Sequence, residues 1–266
     1  MGALHAGHLS LVRRARDWAD GAGASGVVIL SIFVNPTQFG PDEDFEAYPR
    51  PLDSDLEKAR ENGVDLVFAP ESESVMYPEG EPRITVDPGT MADRLCGAHR
   101  PGHFRGVLTV VAKLFGLVNP DRAVFGRKDF QQAVLVRRMV RELHLPVEVE
   151  TAPVVREEDG LAMSSRNAYL SSGEREAARA LPEALRLVRS RFGEGERDAG
   201  ALAAAAREHL EAAGLEPEYV EVVDPDDLQR VELAEHDAVC AIAAYAGETR
   251  LIDNAPLAGP SSLRGG

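Results

Sequence analysis

Leu11, Val12, Ala15, Trp18 and Ala19 recur three or four residues apart, which puts them on one face and predicts an amphipathic helix over 8–19. GAGASG then breaks the chain. The next run, VVILSIFV at 27–34, is apolar at successive positions and rich in β-branched residues, the pattern of a parallel strand buried on both faces. A helical pattern returns over 53–61 and ends at Asn62-Gly63, and VDLVFAP at 64–70 reads as a second strand. After a loop-rich stretch, 104–117 predicts a helix with an apolar stripe, RAVFG a strand, 129–143 a helix and VEVETAPVV a strand. Strands that alternate with helices need crossovers, so this part predicts a doubly wound parallel sheet. Past about residue 157 the texture changes: 172–192 and 198–213 predict two Ala/Leu/Arg helices, followed by strands near 219–223, 238–245 and 250–252. The class is therefore α/β: a Rossmann-like domain over 1–153 and a smaller α+β domain over 154–266, with the tail GPSSLRGG expected to be disordered.

Composition narrows the classes without changing that picture. With 44% hydrophobic and 27% charged residues, the chain can bury a real core. Its apolar runs are of strand length, too short to span a bilayer, and the start lacks the basic and apolar regions of a secretion signal. Cys96 and Cys240 show no CxxC spacing, which fits a reducing, cytoplasmic setting and no disulfide framework. A formal charge of −15 argues against a nucleic-acid surface. Small anions are still accessible, because a local basic cleft can focus them on an acidic protein.

Candidate chemistry begins with His5-Ala6-Gly7-His8, just ahead of the first helix. Glycine lets backbone approach a phosphate, the helix N-terminus offers free N–H groups, and two imidazoles can donate to a phosphoryl oxygen as its charge grows. Taken alone, the same residues are as well explained as ordinary polar groups near a terminus. Gln38 in NPTQFG reads locally as a loop amide in an Asn-Pro turn, and Asp129 with Gln132 as a capping box opening the next helix. Met163-Ser164-Ser165-Arg166 follows a turn at Asp159-Gly160 and fits a helix-capping serine loop. Arg100, His103 and Arg105 add basic groups that could furnish an anion cleft.

The ordered series MGALHAGH, SIFVNPTQFG, RPGHFRGVLTVVAKLF, GRKDFQQ, DGLAMSSRN and RLIDN spans nearly the whole chain and resembles the pantothenate synthetase family. That resemblance implies an HxGH nucleotidyltransferase-type fold, shared with class I aminoacyl-tRNA synthetases. It also implies an ATP-dependent condensation of pantoate with β-alanine through a pantoyl adenylate, releasing pyrophosphate and AMP. The implied ATP contacts are Met1, Gly2, His5, Gly7, His8, Gly126, Lys128, Asp129, Val155, Met163, Ser164, Ser165 and Arg166. Within that set His8 matches a proton donor, Lys128 serves the phosphates, and His5, Ser165 and Arg166 complete the catalytic group. Gln38, Gln132, Asn35 and His103 fall to pantoate and β-alanine. Mg2+ would bridge the phosphates, with Asp129 and Asp55 as open candidates for its protein ligands. A homodimer is implied, with no nucleic-acid or membrane partner.

The chain departs from the family's pattern at several places. Arg127 stands where an acid is common, Cys96 where a glutamate is common, and Ser54 and Lys58 where some members carry metal-associated groups. Relatives also carry a strand ahead of the MG of MGALH, so an upstream strand is expected to belong to the working protein. These departures keep open a nucleotide-binding homologue without turnover; the HxGH motif also allows another small-molecule adenylyltransferase, which the matches in PTQFG and RPGHFRGV disfavour.

Overall fold

In the computed structural model, which describes residues 1–21, 26–41 and 43–258, the first apolar stripe becomes helix α1 (Ala6–Gly21). Val12 and Ala19 of α1 pack with Val28, and Ala15, Leu30 and Val64 close the cluster. Strand β1 (Ile29–Ser31), helix α2 (Leu52–Glu61) and strand β2 (Leu66–Phe68) form a crossover unit whose strands pair in parallel, Ile29 opposite Leu66. β1 keeps only three residues of the run expected over 27–34. Val27, Ile29 and Leu66 are 60%, 38% and 57% exposed, so this strand is not buried on both faces. At its far end the chain turns into a 3-10 helix, Pro36–Gln38, where proline cannot continue a ladder.

Two single-turn helices, α3 (Glu73–Met76) and α4 (Cys96–His99), precede α5 (His103–Val118). α5 starts after Gly102 and stops at Asn119, both in the left-handed region (φ 82° and 47°), the conformation that ends helical hydrogen bonding. A second crossover unit follows: β3 (Arg122–Gly126), α6 (Phe130–Glu142) and β4 (Glu148–Ala152), parallel from Arg122 opposite Glu148 to Gly126 opposite Ala152. α1 packs against β3. The α/β class and the parallel pairing are as expected. Among the described residues, however, the strands form two separate pairs and not one continuous sheet.

Beyond these lie α7 (Ser172–Ala178), α8 (Ala180–Gly193), α9 (Ala199–Ala212) and an antiparallel sheet in the order β5 (Glu216–Val223), β6 (Val239–Ala246), β7 (Thr249–Pro256). The single helix expected over 172–192 is two, broken at Arg179. Pro182 explains the break: it lacks the N–H that would reach Ala178, its ring crowds that carbonyl, and it is tolerated only in a first turn. Leu181, Leu185 and Val188 of α8, Leu202 and Leu210 of α9, and Val222, Ile242 and Leu251 of the sheet build one buried core.

The chain divides into two compact units. One holds Met1–Asp93, Gly97–Gly126 and Leu135–Ala152; the other holds Arg94–Cys96, Arg127–Val134 and the chain from Pro153 onward. A sequence boundary at 153 does not separate out the two short segments of the second unit. They join it through polar ties: Gln131 Nε2 donates to Arg94 O (2.8 Å) and Arg94 Nη1 to Asp227 O (2.7 Å). Residues 22–25 of the GAGASG break and the tail 259–266 lie outside the described residues. No helix among the described residues is long and apolar enough to cross a membrane.

Candidate active site

In the first unit the paired histidines are held by a folded-back loop. Gly2 and Ala3 both adopt positive φ (89° and 50°), turning Met1–His5 sharply into α1. A Cβ on Gly2 would lie 3.0 Å from Asp55 Oδ2 and 3.2 Å from Ile32 Cγ2, so glycine fits both the conformation and the space. Asp55 of α2, 1% exposed, accepts from the backbone N–H of Ala3 (2.8 Å) and of Leu4 (2.7 Å). One turn on, Lys58 Nζ donates to Leu4 O (2.8 Å). Each oxygen of Asp55, one of the two carboxylates considered for the metal, thus takes a loop amide. Lys58 thereby holds Leu4 from its carbonyl side, opposite the N–H that Asp55 accepts.

The His5 and His8 rings stack at 3.9 Å between centroids, 22° from parallel. His5 N–H donates to His8 Nδ1 (3.4 Å), so the neutral His8 ring carries its proton on Nε2 and presents a donor there. Ser10 Oγ ties the next turn to Gly7 O (2.7 Å).

The turn after β1 builds an amide with a fixed orientation. Asn35, 1% exposed, accepts from Tyr77 Oη (2.7 Å) and Thr37 Oγ1 (3.0 Å). Its Nδ2 donates to Gly106 O (3.2 Å) and to Gln38 Oε1 (3.1 Å). With Gln38 Oε1 turned to Asn35, Gln38 Nε2 donates to Met1 Sδ (3.2 Å). Asn35 thus uses both donors and accepts twice inside the protein, and what it supplies is the orientation of Gln38.

His103 supports the same turn. A guanidinium only donates, so Arg100 Nη1, 3.0 Å from His103 Nε2, makes that nitrogen the acceptor, and the neutral ring donates from Nδ1 to Gln38 O (2.7 Å). Arg100 also forms a forked pair with Glu43, Nε to Oε1 at 2.7 Å. Burial works to raise the Glu43 carboxyl, but the hydrogen bonds and charge of Arg100 outweigh it and hold the group below its ordinary value. Arg105 lies 3.8 Å from Asp87 in an exposed pair. Arg100, His103 and Arg105, the basic groups of the expected anion cleft, thus each have a partner within the protein.

In the second unit, residues 156–162 form a tight hairpin that leads into Met163, Ser164, Ser165 and Arg166. Gly160 turns it (φ 89°), Arg156 pairs with Ala162, and Met163 N–H donates to Val155 O (2.9 Å). Ser164 caps the 3-10 helix Ser165–Tyr169 by accepting from Arg166 N–H (3.3 Å), so the capping reading of the serine loop holds. Asn167, 6% exposed, ties this helix to Glu157 Oε1 (2.6 Å) and Ala162 O (3.1 Å). Arg175 pairs with Glu157 and Asp159 beneath the hairpin. Lys128, Asp129 and Gln132 belong to the segment 127–134 of this unit, where Ala133 N–H donates to Asp129 O (3.0 Å) as α6 begins. Arg127 is half-buried, and burial lowers its guanidinium from its ordinary value. Cys96 Sγ lies 3.1 Å from Tyr219 Oη and accepts from Arg250 Nη2 (3.4 Å), while Arg250 is paired with Glu218.

Parallel crossover units with an HxGH loop opening the first helix define a nucleotidyltransferase-type fold. The family model described as Pantoate-beta-alanine ligase matches residues 1–256, and the chain belongs to that family. It is 53% identical over 258 residues to the pantothenate synthetase of Anaeromyxobacter dehalogenans, covering 97% of this chain and 89% of that one. Among solved structures it is similar to the pantothenate synthetase of Thermus thermophilus, with a TM-score of 0.90 and 47% identity over 97% of this chain and 91% of that one. It is also similar to the pantoate-beta-alanine ligase of Francisella tularensis complexed with beta-gamma ATP and beta-alanine, with a TM-score of 0.77 and 34% identity over 98% and 89%.

Proposed function

We propose that the chain is an ATP-dependent ligase that joins pantoate to β-alanine. The observation that carries the reading is family membership over residues 1–256. A carboxylate is a poor electrophile, so the acid is first activated: a pantoate oxygen attacks the α-phosphorus of ATP, pyrophosphate leaves and pantoyl adenylate forms. The amine of β-alanine then attacks the acyl carbon, the amide forms, a proton is released and AMP leaves. Positioning and charge stabilisation lower these barriers, with no covalent enzyme intermediate.

In the first unit we assign the triphosphate to the Met1–His8 segment, the loop and first residues of α1, with His8 Nε2–H as the donor to a phosphoryl oxygen. Gln38 Nε2, oriented by Asn35, suits a carboxylate or hydroxyl acceptor of pantoate. In the second unit we assign Lys128, Ser165 and Arg166 to the phosphates and Gln132 to pantoate. Lys128 suits that task because an ammonium on a flexible stem can follow oxygens that move during transfer.

The described residues contain no cluster of three or more His, Cys, Asp or Glu that could hold a metal ion. A Mg2+ carried on the ATP phosphates needs no such cage, and Asp129 is the carboxylate left to approach it. When bound, the ion supplies charge neutralisation on the phosphates. We further place the protein in the cytoplasm as a homodimer, on the family resemblance and on its two free cysteines.

Pantoate labelled with 18O in its carboxylate tests the reaction. One labelled oxygen per turnover is expected in AMP, and pyrophosphate release is expected to require pantoate. Unlabelled AMP, or pyrophosphate release without pantoate, overturns the reading.

A further inference from the structure

Asn254 of β7 makes contacts that the functional reading above leaves without a purpose. It is 3% exposed, and its Nδ2 donates to two successive carbonyls, Arg127 O (3.0 Å) and Lys128 O (3.1 Å). Carbonyls only accept, so these two bonds fix which way the amide faces. Its Oδ1 is buried and makes no hydrogen bond among the described residues, so the two donated bonds are what orients the amide. The strand beneath is itself held in place. Asp253, 2% exposed, takes Arg156 through two bonds (2.6 and 3.1 Å) and accepts the N–H of Asn254 (2.8 Å). Arg156 in turn donates to Gly160 O (3.0 Å) in the hairpin before Met163. A side chain on a paired strand is a firmer platform than a loop can offer itself.

We propose that Asn254 is a positioning residue for adenylate formation: it holds the peptide units of Arg127 and Lys128 so that Lys128 rises from a fixed base toward the phosphates. The inference rests on the assignment of Lys128 given above. It is tested by Asn254→Ala and Asn254→Ser, each made alone and together with Lys128→Ala, in pantoate-dependent pyrophosphate release at varied ATP. Asn254→Ala is expected to lower kcat/KM for ATP by between about tenfold and a hundredfold, the scale of a misplaced catalytic group. Asn254→Ser, which keeps one donor, is expected to lose less, and KM for β-alanine to stay within about twofold. In the Lys128→Ala background the Asn254 substitution is expected to cost under about twofold, because residues acting through one another are not additive. Losses that add in the double variant, or a KM for β-alanine that rises in step with that for ATP, mark a general packing defect and overturn the inference alone. A Lys128→Ala protein with the parent rate overturns the assignment of Lys128 and the inference with it. If Asn254→Ala does not fold, Asn254→Ser carries the same cycle.

Discussion

Gly106 shows how much of the site depends on single atoms. It lies in α5 against the 3-10 turn that carries Gln38, and a Cβ there would sit 2.1 Å from Thr37 O and 2.8 Å from Gln38 N. Both are backbone atoms, so no side chain can yield, and the carbonyl of Gly106 is also an acceptor for Asn35. Gly106→Ala must therefore push the turn away from the helix. The expected outcome is a stability loss of about 1–3 kcal/mol, the cost of overpacking. With it comes a rise in KM for pantoate of about tenfold, from displacement of a positioned group, while KM for ATP changes little. A thermal melt and steady-state kinetics check both parts; a lowered Tm with an unchanged KM for pantoate would detach Gln38 from substrate binding. The motifs that carry the histidines and Gln38 are local and stand out in the sequence, but the roles expected of them come from the family resemblance. Their supports do not stand out: Asp55 bonds a residue 51 positions away and Tyr77 one 42 positions away, and no spacing rule reaches that far. Asn35 shows the same limit, since its motif marks it while only the fold shows its four partners inside the protein.

Helices and strands follow local chemistry where tertiary packing agrees with it. Asp198 precedes α9, its side chain accepts from Ala201 N–H (2.8 Å) and its carbonyl accepts the first helical bond, from Leu202 N–H (3.0 Å). Asp198→Ala leaves that N–H without its cap on a helix that buries Leu202, Ala206 and Leu210. The expected loss is about 1 kcal/mol of stability, read by denaturant titration, with no change in KM for ATP. Periodicity locates this helix, α2 and β3 to within a residue or two because each shows one clear stripe or run. It misplaces elements where a distant partner decides. The run over 27–34 is apolar at every position but Ser31, yet only three residues pair with β2. β7 shows the opposite error: an expected strand over 250–252 extends through Thr249–Pro256. Asp253, Asn254 and Pro256 look like loop residues by type, and pairing with β6 through Val239 opposite Pro256 overrides that preference.

At the scale of the whole chain, acidity sets how stability should depend on pH. The formal charge of −15 repels itself at neutral pH, and acidification toward the sequence pI of about 4.9 first relieves that repulsion. Ionised carboxylates with partners act in the opposite sense, and each unit supplies an example. Burial raises the Glu43 carboxyl and Arg100 more than offsets it; burial raises Asp159 and the Leu161 amide with Arg175 more than offset that. Both groups therefore bind protons less readily folded than unfolded. Their contribution is fully present above the ordinary carboxylate values of about 4 and is lost as pH falls through the lower native ones. The two effects can be separated because a single neutral substitution leaves the rest of the charge in place. Glu43→Gln is expected to melt below the parent protein at pH 7, and the gap is expected to close as pH falls below about 4, where the parent's own Glu43 becomes protonated. Paired melts between neutral and acid pH, followed by circular dichroism, measure that gap directly. A gap that stays constant across the range would mean that Glu43 acts by shape and hydrogen bonding alone, and that its ionised pairing with Arg100 adds nothing to the stability of the first unit.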